Sequence, residues 1–211
     1  SAIVDEQIFI VGEQMFVNAS GAIDNATIHD GTMSICGGTA NSTILNSGGR
    51  MNILNGGTAN NTMLNSWSYV TVSSGGTANS TIINSGGLHI FNGGIAKSIE
   101  LNSCGTVYVS KGGSADSINF NSGGTLYVYA GGMATNINWT PCDGVIVAYK
   151  GGVVTYASNY SGCYLGEYGR LLSQGNSMSG VVIGEYGSMY IFCGGTATET
   201  TIKSSGIMHV S

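Results

Sequence analysis

Two glutamates stand in identical four-residue motifs in the last quarter of the chain. The sequence GEYG occurs at 166–169 and again at 184–187, so Glu167 and Glu185 occupy equivalent positions. If the two motifs lay on adjacent strands, the carboxyl groups would be about 5 Å apart, which is close to the separation in a retaining glycosidase. The motif is also a repeat at a predicted turn, and the neighbouring Arg170 would screen both charges. Catalysis, a cation contact and a solvated turn are therefore alternative interpretations.

The cysteines do not follow a metal-binding pattern. They are odd in number, form no CxxC pair and have no histidine at metal-ligand spacing, and they stand at Cys36, Cys104, Cys142, Cys163 and Cys193. Cys104 and Cys142 share a predicted corner of the repeat but lie two repeats apart, about 9.6 Å, which is beyond the reach of a disulfide. We expect free thiols, with a bridge through Cys163 or to another molecule as the alternative.

The other titratable residues are spread along the chain. His29 is predicted to point inward and His89 and His209 outward, which disfavours a shared metal site or a Ser/His dyad. Five aspartates are expected at different positions of the repeat, namely Asp5, Asp24, Asp30, Asp116 and Asp143. The calcium-binding nonapeptide GGxGxDxUx does not occur in the sequence. The sequence therefore predicts neither a metal site nor a cofactor.

The composition argues against several classes of protein. Of the 211 residues, 42% are apolar and 8% charged, with 35 glycines and one proline, which disfavours a helical protein and a proline-rich linker. Six lysines and arginines in a chain of net charge −5 make nucleic acid an unexpected partner. The sequence contains no run of 18 or more apolar residues, the length that a membrane-spanning helix requires. The opening SAIVDEQ does not resemble a signal peptide, so we expect a mature fragment.

A glycine doublet followed by a small residue recurs through the chain. Its first glycine advances by 19, 19, 18, 19, 19, 20 and finally 43 residues, at positions Gly37, Gly56, Gly75, Gly93, Gly112, Gly131, Gly151 and Gly194. The last step corresponds to two repeats with a small insertion. A fixed period of this length is typical of solenoids, in which each repeat needs its neighbours to bury its apolar side.

Each repeat contains two short stretches in which apolar residues alternate, for example Thr43 and Leu45 in the first stretch and Met51 and Ile53 in the second. Alternation with a period of two indicates β-strands, and the Gly, Ser and Asn turns between the stretches leave no room for a helix. The sequence therefore predicts an all-β fold, a single-stranded parallel β-helix, or β-solenoid, of about eleven coils of about 19 residues.

The repeats extend over almost the whole chain, so one domain is predicted over residues 1–211. Residues 1–30 are expected to form atypical first coils because the repeated phrase is not yet regular there. Residues 153–175 are expected to form an irregular coil with an insertion, because the period slips by about six residues.

One asparagine recurs at the same position of five successive repeats. The five are spaced by 19, 19, 18 and 19 residues, at Asn46, Asn65, Asn84, Asn102 and Asn121. Stacked amides can hydrogen-bond to one another along a pile of parallel strands. We therefore predict a structural ladder of asparagine side chains.

Aromatic residues occupy the outward positions of the second stretch. They are His89, Phe91, Tyr108, Tyr127, Tyr129, Tyr149, Tyr190 and Phe192. A contiguous exposed aromatic surface usually marks an interaction site, and tyrosine can stack on the faces of sugars. Aromatic residues also favour strands for local reasons, so a role in strand pairing is the alternative. We interpret the set as an interaction face.

The units GGTANSTILNSGGRMNILNGGTA and GGSADSINFNSGGTLYVYAGGMA resemble the repeats of AIDA-type self-associating autotransporter adhesin passengers. The resemblance covers most of residues 30–155 and returns at 187–211. It implies a right-handed parallel β-helix that is secreted or displayed on the surface of a Gram-negative bacterium. It also implies a non-enzymatic role in adhesion, cell aggregation and biofilm formation, and possible O-glycosylation by a dedicated glycosyltransferase.

Three functions follow from these observations. The first is a non-enzymatic adhesin that binds copies of itself or a glycan of a host cell or matrix. The second is a polysaccharide-acting enzyme or tailspike-like depolymerase that would use Glu167 and Glu185. The third is a stalk that only carries another domain away from the cell surface.

Overall fold

The computed structural model describes residues 3–5, 8–9, 12–121 and 123–210, and the remainder of the predicted atypical first coils lies outside them. Two compact units are present. The first comprises residues 1–138 and 146–157, and the second comprises residues 139–145 and 158–211. The prediction of one domain over the whole chain stays a prediction.

The first unit is built from short strands. In its first four turns these are β1 (Ile3–Asp5), β2 (Ile8–Phe9), β3 (Gln14–Asn18), β4 (Ala22–Asp24), β5 (Thr27–His29), β6 (Thr32–Cys36), β7 (Thr39–Asn41), β8 (Ile44–Asn46), β9 (Arg50–Leu54), β10 (Thr58–Leu64) and β11 (Ser68–Val72). The later strands are β12 (Thr77–Ile90), β13 (Ile95–Val109), β14 (Ser114–Phe120), β15 (Thr125–Val128), β16 (Met133–Asn138), β17 (Val145–Ala148) and β18 (Val153–Tyr156).

Successive turns of the first unit pair in parallel with nearly constant register. Thr58 lies opposite Thr77, Ile95 opposite Ser114, and Met133 opposite Val153. These offsets of 19, 19 and 20 residues equal the steps of the glycine doublet. The chain makes about ten turns. The predicted all-β parallel solenoid is therefore confirmed.

Each repeat has one corner that the sequence did not predict, and this corner lies within the first of the two stretches. The first stretch bends at a residue with positive φ, such as Ser42 (54°), Asn61 (54°) and Ser80 (55°). The left-handed region is uncommon for residues other than glycine, although asparagine adopts it more readily than most. The bend lets one stretch serve two sides of the coil, with β4 and β5 on either side of Asn25.

The core is a set of columns of identical or similar side chains. In the first unit the alanines of the repeated phrase are fully buried, and so is the second-stretch pair Met51 and Ile53. His29 lies opposite Asn46, whereas Ile28 lies opposite the buried Leu45. The prediction that His29 points inward was therefore wrong, because the irregular first coils shift the alternation by one residue.

Both glycines of the doublet are required by the turn, for different reasons. Gly75 has a φ of 82°, which glycine adopts without a steric penalty. A Cβ atom on Gly76 would lie 2.3 Å from the carbonyl oxygen of Ile53 in the preceding coil. The first glycine therefore provides the turn, and the second allows one coil to approach the next.

The second unit contains a break in the parallel stack. Its strands are β19 (Cys163–Glu167), β20 (Arg170–Gly175), β21 (Ser177–Ser179), β22 (Val182–Ile183), β23 (Gly187–Ile191), β24 (Thr196–Thr198), β25 (Thr201–Ile202) and β26 (Ile207–Val210). The hairpin β19–β20 is antiparallel, and β19 also pairs antiparallel with β23. The last two coils are again parallel at an offset of 19 residues, as the pairing of Ser188 with Ile207 shows.

Three threonines form an unusual column inside the first unit. The hydroxyls of Thr43, Thr62 and Thr81 are buried and have no hydrogen-bond partner among the described residues. In the next coil the same position is occupied by Ile99, which lies opposite Thr81. A buried hydroxyl without a partner costs free energy because it gives up its hydrogen bonds to water.

We expect Thr62→Val to stabilise the fold by about 1 kcal/mol, because the change removes the buried hydroxyl and keeps the branched shape. The measurement is the urea midpoint of unfolding followed by circular dichroism. Thr58→Val is the matched control, since Thr58 is only half-buried and its replacement should leave the midpoint nearly unchanged. A lower midpoint for Thr62→Val would contradict this account of the core.

Candidate interaction surface

A column of stacked rings runs along the second stretch of the first unit. His89 lies opposite Tyr108, and Tyr108 lies opposite Tyr127. The ring centroids are 4.4 Å apart for His89 and Tyr108 and 5.2 Å for Tyr108 and Tyr127, with planes within 17° of parallel. Parallel strands are about 4.8 Å apart, so equivalent aromatic residues on adjacent coils are placed at stacking distance.

A second set of rings stands two residues further along the same strands. Tyr129 and Tyr149 stack with centroids 4.9 Å apart. Phe91, which is 43% exposed, lies 6.2 Å from His89. We call the six residues His89, Phe91, Tyr108, Tyr127, Tyr129 and Tyr149 the aromatic patch. Its rings are rigidly supported by the sheet and reach solvent.

Tyr69 extends this surface and was missed by the sequence reasoning. Its ring is 41% exposed and its centroid is 6.0 Å from that of His89. Gly87 lies opposite Tyr69, and a Cβ atom there would be 3.1 Å from both rings. The available signal was that Tyr69 directly precedes the inward Val70, which places Tyr69 on the outward side of its strand.

Two of the predicted face residues belong to the second unit. Tyr190 stacks on His209 with centroids 4.4 Å apart and on Phe192 at 6.2 Å. Trp139 meets Tyr190 edge-on at 5.1 Å and is almost completely buried. Tyr190 and Phe192 therefore form a cluster within their own unit, and the interaction role of all eight predicted residues stays a prediction.

The aromatic patch carries little charge at neutral pH. Burial lowers the pKa of His89 below its ordinary value of 6.5. Burial, and then the neighbouring Tyr127, Tyr129 and Tyr69, raise the pKa of Tyr108 above 10.0. His89 is thus mainly a neutral imidazole and Tyr108 a neutral phenol, which lets the rings stack without charge repulsion.

The predicted asparagine positions are joined by hydrogen bonds. The amide nitrogen of each asparagine donates to the amide oxygen of the one before it, at 3.1, 2.8, 2.7 and 3.2 Å along Asn46, Asn65, Asn84, Asn102 and Asn121. A second ladder, which the sequence reasoning missed, connects Asp24, Asn41, Asn60 and Asn79 at 2.6, 2.8 and 3.0 Å. The recurring asparagine of the phrase GGTAN was the available signal for it.

The expectation that the aspartates occupy different positions of the repeat was wrong for three of them. Asp5 lies opposite Asp24 in register, and Asp116 lies in the same column, opposite Lys97. Asp116 accepts hydrogen bonds from Thr135, Asn136 and Ser117, of which the bond from Thr135 does most to lower its pKa. The column is a polar ladder whose members change from coil to coil.

The paired carboxylates expected from the GEYG motifs do not form the predicted stack. Glu167 lies opposite Gly187 rather than Glu185, because β19 runs antiparallel to β23. The tyrosines of the two motifs meet instead, with ring centroids 5.1 Å apart. The prediction that Glu167 stacks directly on Glu185 was therefore wrong.

No cluster of metal ligands is present among the described residues. All five cysteines are free thiols, as expected, and Cys142 and Cys163 are buried. Burial raises the pKa of Cys142 to about 11, so its thiol is protonated at neutral pH and is a poor nucleophile. Nothing in the described part of the chain forms a helix that could span a bilayer.

Another surface groove of the first unit, about 390 Å³ in volume, lies over Met63, Ile82 and Glu100. The carboxylate of Glu100 accepts hydrogen bonds from Asn119 and Asn121, each at 2.8 Å. The groove therefore follows from the bend of the first stretch, and its acidic group is engaged in the neighbouring ladder.

We expect a nuclear magnetic resonance titration to give a pKa for His89 below 6.5, and Tyr108→Ala to raise it towards 6.5 by uncovering the ring. Because the unfolded chain has the ordinary pKa, this histidine stabilises the fold fully above pH 6.5. That contribution is lost as the pH falls through the lower folded value. Tyr168→Ala, in the second unit, should leave the pKa unchanged. A value at or above 6.5 would contradict the burial.

Comparisons with known proteins agree on the type of repeat and fold. Residues 25–87 match the family model described as "adhesin of bacterial autotransporter system, probable stalk". No curated protein sequence matches the chain significantly. Among solved structures, the crystal structure of a TibC-catalysed hyper-glycosylated fragment of TibA is similar, with a TM-score of 0.57 and 26% identity. That match covers 99% of this chain and 80% of the other. The resemblance read from the repeat is thereby confirmed: residues 25–87 match the adhesin stalk family, and the parallel β-solenoid is similar to the autotransporter adhesin fragment of known structure.

Proposed function

We propose that this passenger is a non-enzymatic attachment module on the surface of a Gram-negative bacterium, and that its aromatic patch is the surface that binds. The partner is a second copy of the chain or a glycan of a host cell or matrix. The observation that carries the proposal is the contiguous group of stacked, solvent-reaching rings on one side of the first unit. Contiguous aromatic surface of this kind is characteristic of interaction sites.

The physical state of the rings favours binding. Each ring is already held by its neighbours, so little side-chain entropy is lost when a partner covers it. Tyrosine offers an apolar face together with a hydroxyl that can donate or accept a hydrogen bond. A sugar ring presents apolar C–H faces and hydroxyl edges, and a second aromatic patch presents rings of the same kind. Both partners are therefore compatible with the surface.

A stalk without binding activity is the second candidate, and the description of the matched family supports it. A parallel solenoid is suited to this role because each coil is stabilised only by its neighbours, so length can be added without changing the fold. The two functions differ in what the isolated chain does. A pure stalk neither self-associates nor binds a glycan.

We propose in addition that exposed serine and threonine hydroxyls of the first unit are O-glycosylated by a dedicated glycosyltransferase. The support is the glycosylated state of the similar TibA fragment and the many Ser and Thr residues on this chain's strands. Intact-mass spectrometry of the chain isolated from its native cell should show added sugar masses. An unmodified mass from those cells would reject this part of the proposal.

Replacing Tyr108, Tyr127 and Tyr129 together by serine is expected to abolish cell clumping or glycan binding, because it removes three of the six rings of the patch. The measurements are aggregation of cells that display the chain and retention of the purified chain on a glycan array. Circular dichroism must show that the fold is intact.

The matched control is Tyr168→Ser with Tyr186→Ser. This pair is also stacked and is 71% and 60% exposed, but it lies in the second unit. Clumping and glycan binding should survive this change. If both the triple variant and the control retain full clumping and glycan binding, the aromatic patch is not the binding surface. If the unaltered chain shows neither activity, the stalk function holds.

A further inference from the structure

A shallow groove of about 340 Å³ adjoins the aromatic patch on the first unit. Its lining includes Arg50, Asn52, Tyr69, Thr71, His89 and Phe91. His89 and Phe91 belong to both the groove and the patch, so the two features form one continuous surface. The groove crosses four coils, which at the spacing of parallel strands is a length of about 14 Å.

The groove exists because, along one outward column, some coils carry small side chains where the neighbouring coils carry large ones. Ser34 lies opposite Asn52, Asn52 opposite Thr71, and Thr71 opposite His89. Before Ser34 the same column holds Phe16, which is 62% exposed. Of this column, the short polar side chains of Asn52 and Thr71 line the groove, and His89 closes it at one end. The amide of Asn52 donates only a long hydrogen bond, 3.4 Å, to Ser34.

The walls of the groove combine aromatic rings with one positive charge. Tyr69 lies opposite Arg50 in the adjacent coil, and both side chains are exposed. The rings of Tyr69 and His89 are 6.0 Å apart, and Phe91 stands beyond them. The lining contains no acidic side chain, and the whole chain has a net charge of −5 with only six lysines and arginines. Arg50 is therefore the one charged side chain of the groove lining.

These groups match the chemistry of a sugar that carries a carboxylate. The guanidinium of arginine binds a carboxylate through two parallel hydrogen bonds. Aromatic walls pack on the C–H faces of a pyranose ring, while amide and hydroxyl groups such as those of Asn52 and Thr71 bond to its hydroxyls.

We propose that this groove binds a carboxylated sugar residue of an acidic polysaccharide, with Arg50 pairing to the carboxylate and Tyr69, His89 and Phe91 packing on the sugar rings. The inference rests on the proposed attachment function and specifies the ligand class of its surface. Hexuronates and sialic acids share the required chemistry. Arg50 is the residue that would select acidic over neutral glycans.

The test measures the affinity of the intact chain for three probes: trigalacturonate, the same trisaccharide with its carboxyl groups reduced to alcohols, and sialyllactose. We expect at least one acidic probe to bind, and the reduced trisaccharide to bind about tenfold more weakly than trigalacturonate, the loss of one charge-assisted pair. Arg50→Gln should weaken binding of the acidic probe by the same factor and leave the neutral one unchanged. The acidic probe with the higher affinity identifies the source of the carboxylate.

Lys111→Gln is the matched control, because it removes the same charge from an exposed turn of the same unit. Its affinity for the acidic probe should equal that of the unaltered chain. If the Arg50 and Lys111 variants lost the same affinity for the acidic probe, the effect would be one of net charge only. That result would overturn the proposal. Arg50 is exposed, so thermal unfolding of Arg50→Gln should match that of the unaltered chain.

Two other results also overturn the proposal while separating it from the attachment function. If acidic and neutral probes bind equally and only the Tyr108, Tyr127 and Tyr129 variant loses binding, the patch binds glycans without recognising acid. If no probe binds and Arg50→Gln instead reduces self-association in sedimentation, a second copy of the chain occupies the groove.

Discussion

Hydrogen bonding from each coil to the next, with almost constant register, is the constraint on which the first unit depends. The amide of Thr77 donates to Gly57 at 2.9 Å, and the amide of Ile95 donates to Gly76 at 3.0 Å. In a parallel stack the strands of a coil find their backbone partners in the adjacent coils, so an unpaired coil would leave these groups unsatisfied. Every side chain is consequently a member of a column, and its environment is set by the equivalent residues of the two adjacent coils.

The inward-facing columns build the core, and the outward-facing columns form the surface that can bind a partner. Inward columns are restricted to side chains that fill a narrow interior, such as the alanine column that contains Ala59 and Ala78, both fully buried. Outward columns have no such limit. One outward column changes from Asn52 through Thr71 to His89 and Tyr108 without any change of backbone register. The groove and the aromatic patch lie on successive stretches of this outward column. Its residues can therefore change from coil to coil, and alter the binding surface, while the fold stays the same.

The second unit shows what happens when the constant register is interrupted. The hairpin β19–β20 introduces antiparallel pairing, and Cys142 comes close enough to Gly166 that a Cβ atom there would lie 2.3 Å from the Cβ atom of Cys142. Residues with the same place in a motif, such as Glu167 and Glu185, are then no longer opposite each other. Column reasoning is valid only where the strands are parallel and the offset is constant.

The fold class and the membership of most columns follow from the repeat pattern alone. The spacing of the glycine doublet gives the offset between coils, and the alternation around residues such as Leu45 and Ile53 gives their inward direction, because the side-chain period of a strand is two. The same arithmetic places Tyr108 opposite Tyr127 and Asn46 opposite Asn65. It failed at His29, where an irregular coil shifts the alternation by one residue.

The bends of the repeat, the reversal of strands and the position of the groove become visible only in the folded chain. The positive φ of Ser42 and Ser80 has no clear signal in the sequence, since serine does not favour that region. The antiparallel pairing of β19 with β23 depends on contacts between residues that are distant along the chain, such as Cys163 and Ile191. The groove depends on the relative sizes of side chains from four coils. A periodic pattern specifies which residues are neighbours, whereas direction, bends and empty space follow from how those neighbours pack.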